Sequence, residues 1–90
     1  MGVNIILGDE YDDDLRDALM LTLKEEGAIP IDKSWAVAGS QEIEFLEVSL
    51  DSESITIEAE TYIGLSITGP QNIVERIAEK TRNRLAASNS

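Results

Sequence analysis

The chain has no cysteine and no histidine. The first absence excludes disulfides and thiolate chemistry. The second removes the commonest general base and, with cysteine gone, nearly every zinc donor set. Aromatic residues are scarce: one Trp, two Tyr and one Phe. Long apolar runs are missing too, and no stretch approaches the roughly 20 residues of a membrane-spanning helix. The N-terminal run at residues 3–7 is broken by Asn4, has no positive charge before it, and is too short for the apolar region of a signal peptide. The expected location is the cytoplasm. A length of 90 residues predicts one small domain, residues 1–86, followed by a short tail at 87–90.

Basic residues are also few. Seven Lys and Arg stand against 18 Asp and Glu, for a net charge of −11. Residues 1–60 hold 16 acids and only three bases, Arg16, Lys24 and Lys33. The remainder holds two acids, Glu75 and Glu79, and four bases, Arg76, Lys80, Arg82 and Arg84. Direct nucleic-acid binding requires bases that displace counterions from phosphate, and an anionic membrane surface asks for the same. The charge points instead to a cationic partner, or simply to solubility.

Periodicity supplies the elements. Residues 3–7, rich in β-branched side chains and apolar on both faces, read as a strand in the middle of a sheet, ended by Gly8. The acidic run at 9–14 opens a helix, since aspartate caps well and carboxylates suit the positive end of the helix dipole. Leu15, Ala18, Leu19, Thr22 and Leu23 form its core stripe, which Met20 and Leu21 widen. Gly27 fits the position just past the helix end, and Pro30 cannot continue the helix. Residues 34–38 read as a short strand with Trp35 in the core or at its rim, and Gly39-Ser40 as a turn. At the C-terminal end, Thr68 or Gly69 is the expected cap of a second helix with Pro70 at its first position. Ile73, Val74, Ile77, Ala78, Thr81 and Leu85 form its buried stripe.

Between these helices lies the most informative stretch, QEIEFLEVSLDSESITIEAETYIGLSIT at residues 41–68. Apolar and polar residues alternate through most of it, the period of half-buried strands. Its polar half contains Glu42, Glu44, Glu47, Asp51, Glu53, Glu58 and Glu60, with no base anywhere. The phase slips at Phe45-Leu46, which indicates either a β-bulge or a strand buried on both faces. Residues 51–54 read as a turn. The single phase kept from Ile55 to Ile67 fits one long bent strand or two strands broken near 60–62. The order β-α-β-β-β(-β)-α predicts an α+β two-layer sandwich: a mostly antiparallel sheet of four to five strands with two amphipathic helices on one face. The other face is left to solvent and to the glutamates. A turn that sets Leu50 opposite Ile55 would put Glu47 opposite Glu58, an unfavourable pair of like charges that a basic partner would relieve.

The acids also have to be weighed as chemistry. With Asp12 as the first position of a calcium loop, Arg16 falls at the fifth, Asp17 at the sixth and Leu23 at the twelfth, so the EF-hand pattern fails. An acid catalyst needs a partly apolar cleft, and an open sheet face on so short a chain does not offer one. No catalytic residue, metal or cofactor is expected. The acids read as a binding surface: Glu42, Glu44, Glu47, Glu58 and Glu60 on the sheet, then Asp12, Asp13 and Asp14 at the helix start. The basic face of the second helix, Arg76, Lys80, Arg82 and Arg84, is placed to pair with the acidic first helix.

In size, in element order, in lacking Cys and His, and in the segment GSQEIEFLEVSL…ITIEAETYIGLSITGP followed by an amphipathic helix, the chain resembles the small acidic immunity proteins of bacterial polymorphic-toxin and contact-dependent growth inhibition systems. The resemblance implies stoichiometric inhibition of a cognate basic toxin domain, often a nuclease. Two other classes fit an acidic α+β domain. One is a phage-type nucleic-acid mimic, such as an anti-CRISPR or anti-restriction protein. The other is a small structural or adaptor subunit that dimerises through a sheet edge.

Overall fold

The structure, a computed structural model, describes residues 2–38 and 41–88, without the side chains of 35–38, 41 and 88. The elements run β1 (Gly2–Gly8), α1 (Asp13–Glu25), β2 (Ile29–Ala38), β3 (Gln41–Leu50), β4 (Glu53–Glu60), β5 (Gly64–Pro70) and α2 (Gln71–Ser88). The strands form one five-stranded sheet in the order β1-β5-β4-β3-β2, and every neighbouring pair is antiparallel. This is the α+β two-layer sandwich that the alternation predicts. β1 and β2 point the same way at opposite edges, so α1 carries the chain across the sheet and the β2–β5 meander brings it back to β1.

Local chemistry sets the ends of α1. The Asp12 carboxylate caps it, accepting from the Leu15 amide at 3.1 Å, and Asp13 and Asp14 occupy the first turn. Gly27 takes a left-handed φ of 86°. Its N–H donates to the Lys24 carbonyl, and that of Ala28 donates to the Leu23 carbonyl, which completes a Schellman stop. The core stripe is as expected: Leu15, Ala18, Leu19, Thr22 and Leu23 of α1 meet Ile73, Val74, Ile77, Ala78 and Thr81 of α2. The sheet contributes Val48, Leu50, Ile55, Ile57, Leu65 and Ile67 to the same cluster. Burying each such aliphatic side chain is worth about 1.5–3 kcal/mol.

Several expectations are corrected. β1 is an edge strand, and its apolar character does not place it in the middle, because Ile6 projects onto the open face and is exposed. β2 begins five residues earlier than predicted, at Ile29, and contains Pro30. An edge strand tolerates proline because one side of its ladder is unpaired. Met20 and Leu21 do not widen the core stripe; they are 41% and 49% exposed. β3 pairs with β4 without interruption from Ile43 to Leu50, so of the two readings of Phe45-Leu46 the bulge fails and the strand partly covered on both faces holds. Phe45 is half-buried on the open face while Leu46 packs toward the helices. Of the two alternatives for Ile55 to Ile67 the two-strand one holds, with the break at a turn over 61–63 where Tyr62 has a φ of 72°. Pro70 ends β5 opposite Gly2, and α2 starts one residue later than expected and runs on to Ser88. The Gly39-Ser40 turn lies outside the described residues, and so does the Trp35 side chain.

The β3–β4 hairpin is tighter than expected. Its loop is Asp51-Ser52 alone, with φ of 52° and 66°. Left-handed backbone at both central residues is the type I′ pattern, whose twist matches the flanking strands. The loop sets Leu50 opposite Glu53, Val48 opposite Ile55 and Leu46 opposite Ile57.

Candidate functional site: the open sheet face and the trough beside the first helix

The tight hairpin decides which carboxylates meet. Register pairs Glu47 with Thr56 rather than Glu58, and Glu58 with Phe45. The expected Glu47–Glu58 opposition is therefore corrected to a diagonal relation, at roughly 7–8 Å between backbones. Like charges are nonetheless opposed on the other side of β3, where Asp32 of β2 pairs with Glu47. Asp32 lies in the part of β2 that precedes the strand predicted at 34–38.

The open face thus carries Asp32, Glu47, Glu58 and Glu60 from three adjacent strands. Ile43 and Phe45 lie among them, both half-buried, with Glu60 opposite Ile43 and Glu58 opposite Phe45. Toward β1 the face continues through Ser66, Thr68 and Asn4, where the Asn4 amide donates to Thr68 Oγ1 at 2.6 Å. All seven bases are elsewhere: Arg16 and Lys24 on α1, Lys33 on the helix side of β2, and four on α2. Among the described residues no helix or loop crosses this face.

The other predicted residues do not join it. With the β3 register unbroken, Glu42 and Glu44 share the helix side with Leu46 and Val48. Glu44 accepts from the Arg16 guanidinium at 2.7 Å. Asp12 is occupied as a helix cap, and Asp13 and Asp14 lie exposed in the first turn of α1. Asp13 belongs with Glu44 to a trough between α1 and the overhanging β2–β3 edge, about 510 Å³ in volume. Its apolar lining is Met20, Leu46, Ile57, Ala59 and Leu65, joined by Phe45 where β3 passes between the two faces, and its rim is Asp13, Arg16, Asp17, Lys33 and Glu44. A smaller hollow continues it past Arg16 and Glu44 toward Glu10 and Glu42.

The basic face of α2 behaves as its charge suggests. Arg76 bridges Glu26 and Asp51, each at 2.9 Å, Lys80 reaches Glu26 at 3.1 Å, and Arg84 pairs with Glu25. The acids involved sit at the C-terminal end of α1 and in the hairpin loop, not in the Asp12–Asp14 run. The Lys80 hydrogen bond is the main reason that the Glu26 carboxyl lies below its ordinary value of 4.5, helped by the charges of Lys80 and Arg76 and opposed by burial. The hydrogen bond that the Arg76 guanidinium donates to the Asp51 carboxylate foremost raises it above its ordinary value.

Among the described residues, no group of three or more carboxylates converges as metal ligands do, and no helix is long and apolar enough to cross a membrane. Comparisons with protein-family models, curated proteins and solved structures found no match for this chain.

Proposed function

We propose that the protein is a non-catalytic binding protein that captures a basic protein on its open sheet face. The observation that carries this reading is the composition of that face: four carboxylates, no base, and a half-buried apolar centre at Phe45 and Ile43. Folding does not call for the Asp32–Glu47 opposition, which costs a few tenths to about 1 kcal/mol. A cationic partner turns that cost into attraction, steers encounter and rejects acidic competitors. An aromatic anchor ringed by charge is the usual make-up of an interface centre.

With the resemblance to small immunity proteins, the partner is a basic toxin domain, neutralised one-to-one in the cytoplasm of the cell that makes both. Phe45 and Ile43 favour this over nucleic-acid mimicry, because phosphate has no use for an apolar centre. Edge dimerisation is disfavoured because both edge strands carry register bulges, at Ile6/Gly8 in β1 and at Pro30/Asp32 in β2. The test is capture from a lysate of the source organism with low-salt and high-salt washes. One stoichiometric basic protein retained at high salt, whose toxicity is relieved by co-expression of this chain, is the expected result. Several nucleic-acid-binding proteins that elute together with salt would contradict it.

A further inference from the structure

The helix layer stops short of β2. α2 packs on β1 and β5 and α1 packs beside α2, so that among the described residues no helix lies over the helix-side surface of β2 and the outer half of β3. The trough described above is that gap. Its floor is made of core side chains, Ile57 and Leu65, both buried, and its wall is Leu46 and the exposed flank of Met20. Asp13 and Asp17 stand one turn apart on the α1 side, and Glu44 stands on the β3 side. Of the two bases present, Arg16 is already held by Glu44 at 2.7 Å. Together with the adjoining hollow the rim carries Glu10, Asp13, Asp17, Glu42 and Glu44 against Arg16 and Lys33.

We propose that this trough is a second docking site, for a protein segment in which lysine or arginine alternates with large apolar residues. An apolar side chain or the aliphatic stem of a base lies on Met20 and Leu46, and its cationic head reaches Asp13 and Asp17. Long basic side chains suit such a site because stem and head want different surroundings. A second copy of this chain does not fit, since its net charge is −11 and three bases of α2 are engaged with its own acids. The inference rests on the reading of the protein as a binder of basic partners and adds where an amphipathic part of the partner is gripped.

The test uses two synthetic peptides of equal length and charge, one of lysine and leucine and one of lysine and serine, titrated into the isotope-labelled full chain and followed by amide NMR. The lysine–leucine peptide is expected to shift the amides of Asp13, Asp17, Met20, Glu44 and Leu46, and to bind at least roughly tenfold more tightly than the lysine–serine peptide. Replacing Asp13 and Asp17 together by Asn is expected to weaken it by up to about tenfold. Met20→Lys, at an exposed position, provides a second variant that sets a cation in the trough and is expected to weaken the peptide similarly. Equal binding of the two peptides, or shifts confined to Glu47, Thr56, Glu58 and Glu60, would overturn the trough site while leaving the sheet-face reading intact. An absence of shifts on both surfaces would overturn both.

Discussion

The two ends of the sheet solve the charge problem in opposite ways. At the β1–β5 end, α2 lies on the strands and its bases Arg76, Lys80 and Arg84 are matched to Glu25, Glu26 and Asp51. At the β3–β2 end, among the described residues, the helices reach the core side chains of β3 but not β2, and the open face presents Asp32, Glu47, Glu58 and Glu60 with no Lys or Arg on it. The first end shows that this chain does place a base where a fold-stabilising ion pair is wanted. The acids of the second end are therefore read as serving something other than folding.

The largest expected effect is at the packed end. Gly64 closes the β4–β5 turn with a φ of 120°, and a Cβ there would collide with the Gly8 carbonyl oxygen. Gly64→Ala is expected to cost about 3 kcal/mol or more in urea unfolding, from backbone strain and overpacking together. Thr81 comes next, with the opposite sign. It is fully buried in α2 and its hydroxyl has no partner, whereas Thr22 of α1, equally buried, donates to the Ala18 carbonyl at 2.8 Å. Thr81→Val is expected to raise stability by about 1 kcal/mol, and Thr22→Val to give no such gain.

Glu26 tests the matched charges. Its side chain is only 19% exposed between Arg76 and Lys80, so Glu26→Gln is expected to cost about 1 kcal/mol at neutral pH, less at high salt. Because folding lowers this carboxyl, its contribution is complete above 4.5 and lost as pH falls below that value. Wild type and variant should thus converge in acid, which unfolding measured across pH 3–7 would check. Smallest of all is the effect of Glu47→Lys on stability, within about 0.5 kcal/mol and in the favourable direction, since it replaces the like charge opposite Asp32.

Much of this fold was legible in the sequence, because helix stripes and strand alternation report burial directly. Both core stripes and the Schellman glycine could be read locally, whereas the basic face of α2 was legible only as a face that pairs with acids, not as the pairs it makes with Glu25, Glu26 and Asp51. Register could not be read locally. Asp51-Ser52 forms a two-residue I′ loop without the glycine that normally announces one, so the expected hairpin was two residues too long. Because the slip was even, it kept the β4 residues on their correct faces but mispaired Glu47 and Glu58. Glu42 and Glu44 depart from the expected face for another reason. The apolar run Phe45-Leu46 mimics a bulge when an aromatic anchor sits on an otherwise solvated face. Pro30 hid the start of β2, and with it Asp32, because proline is a strong loop signal except at a sheet edge. The trough had no sequence signature at all, since it arises from where the helix layer ends.

The central claim is that the open face binds and does not merely solubilise. Its most direct test is the affinity of the captured basic protein for wild type and for the Glu47→Lys, Glu58→Lys double variant, measured by calorimetry beside unfolding curves for both. The account predicts a loss of several kcal/mol in binding, of the order seen for reversed charges at an interface centre, with stability unchanged within about 1 kcal/mol. Binding that survives the double reversal in a folded protein would contradict it.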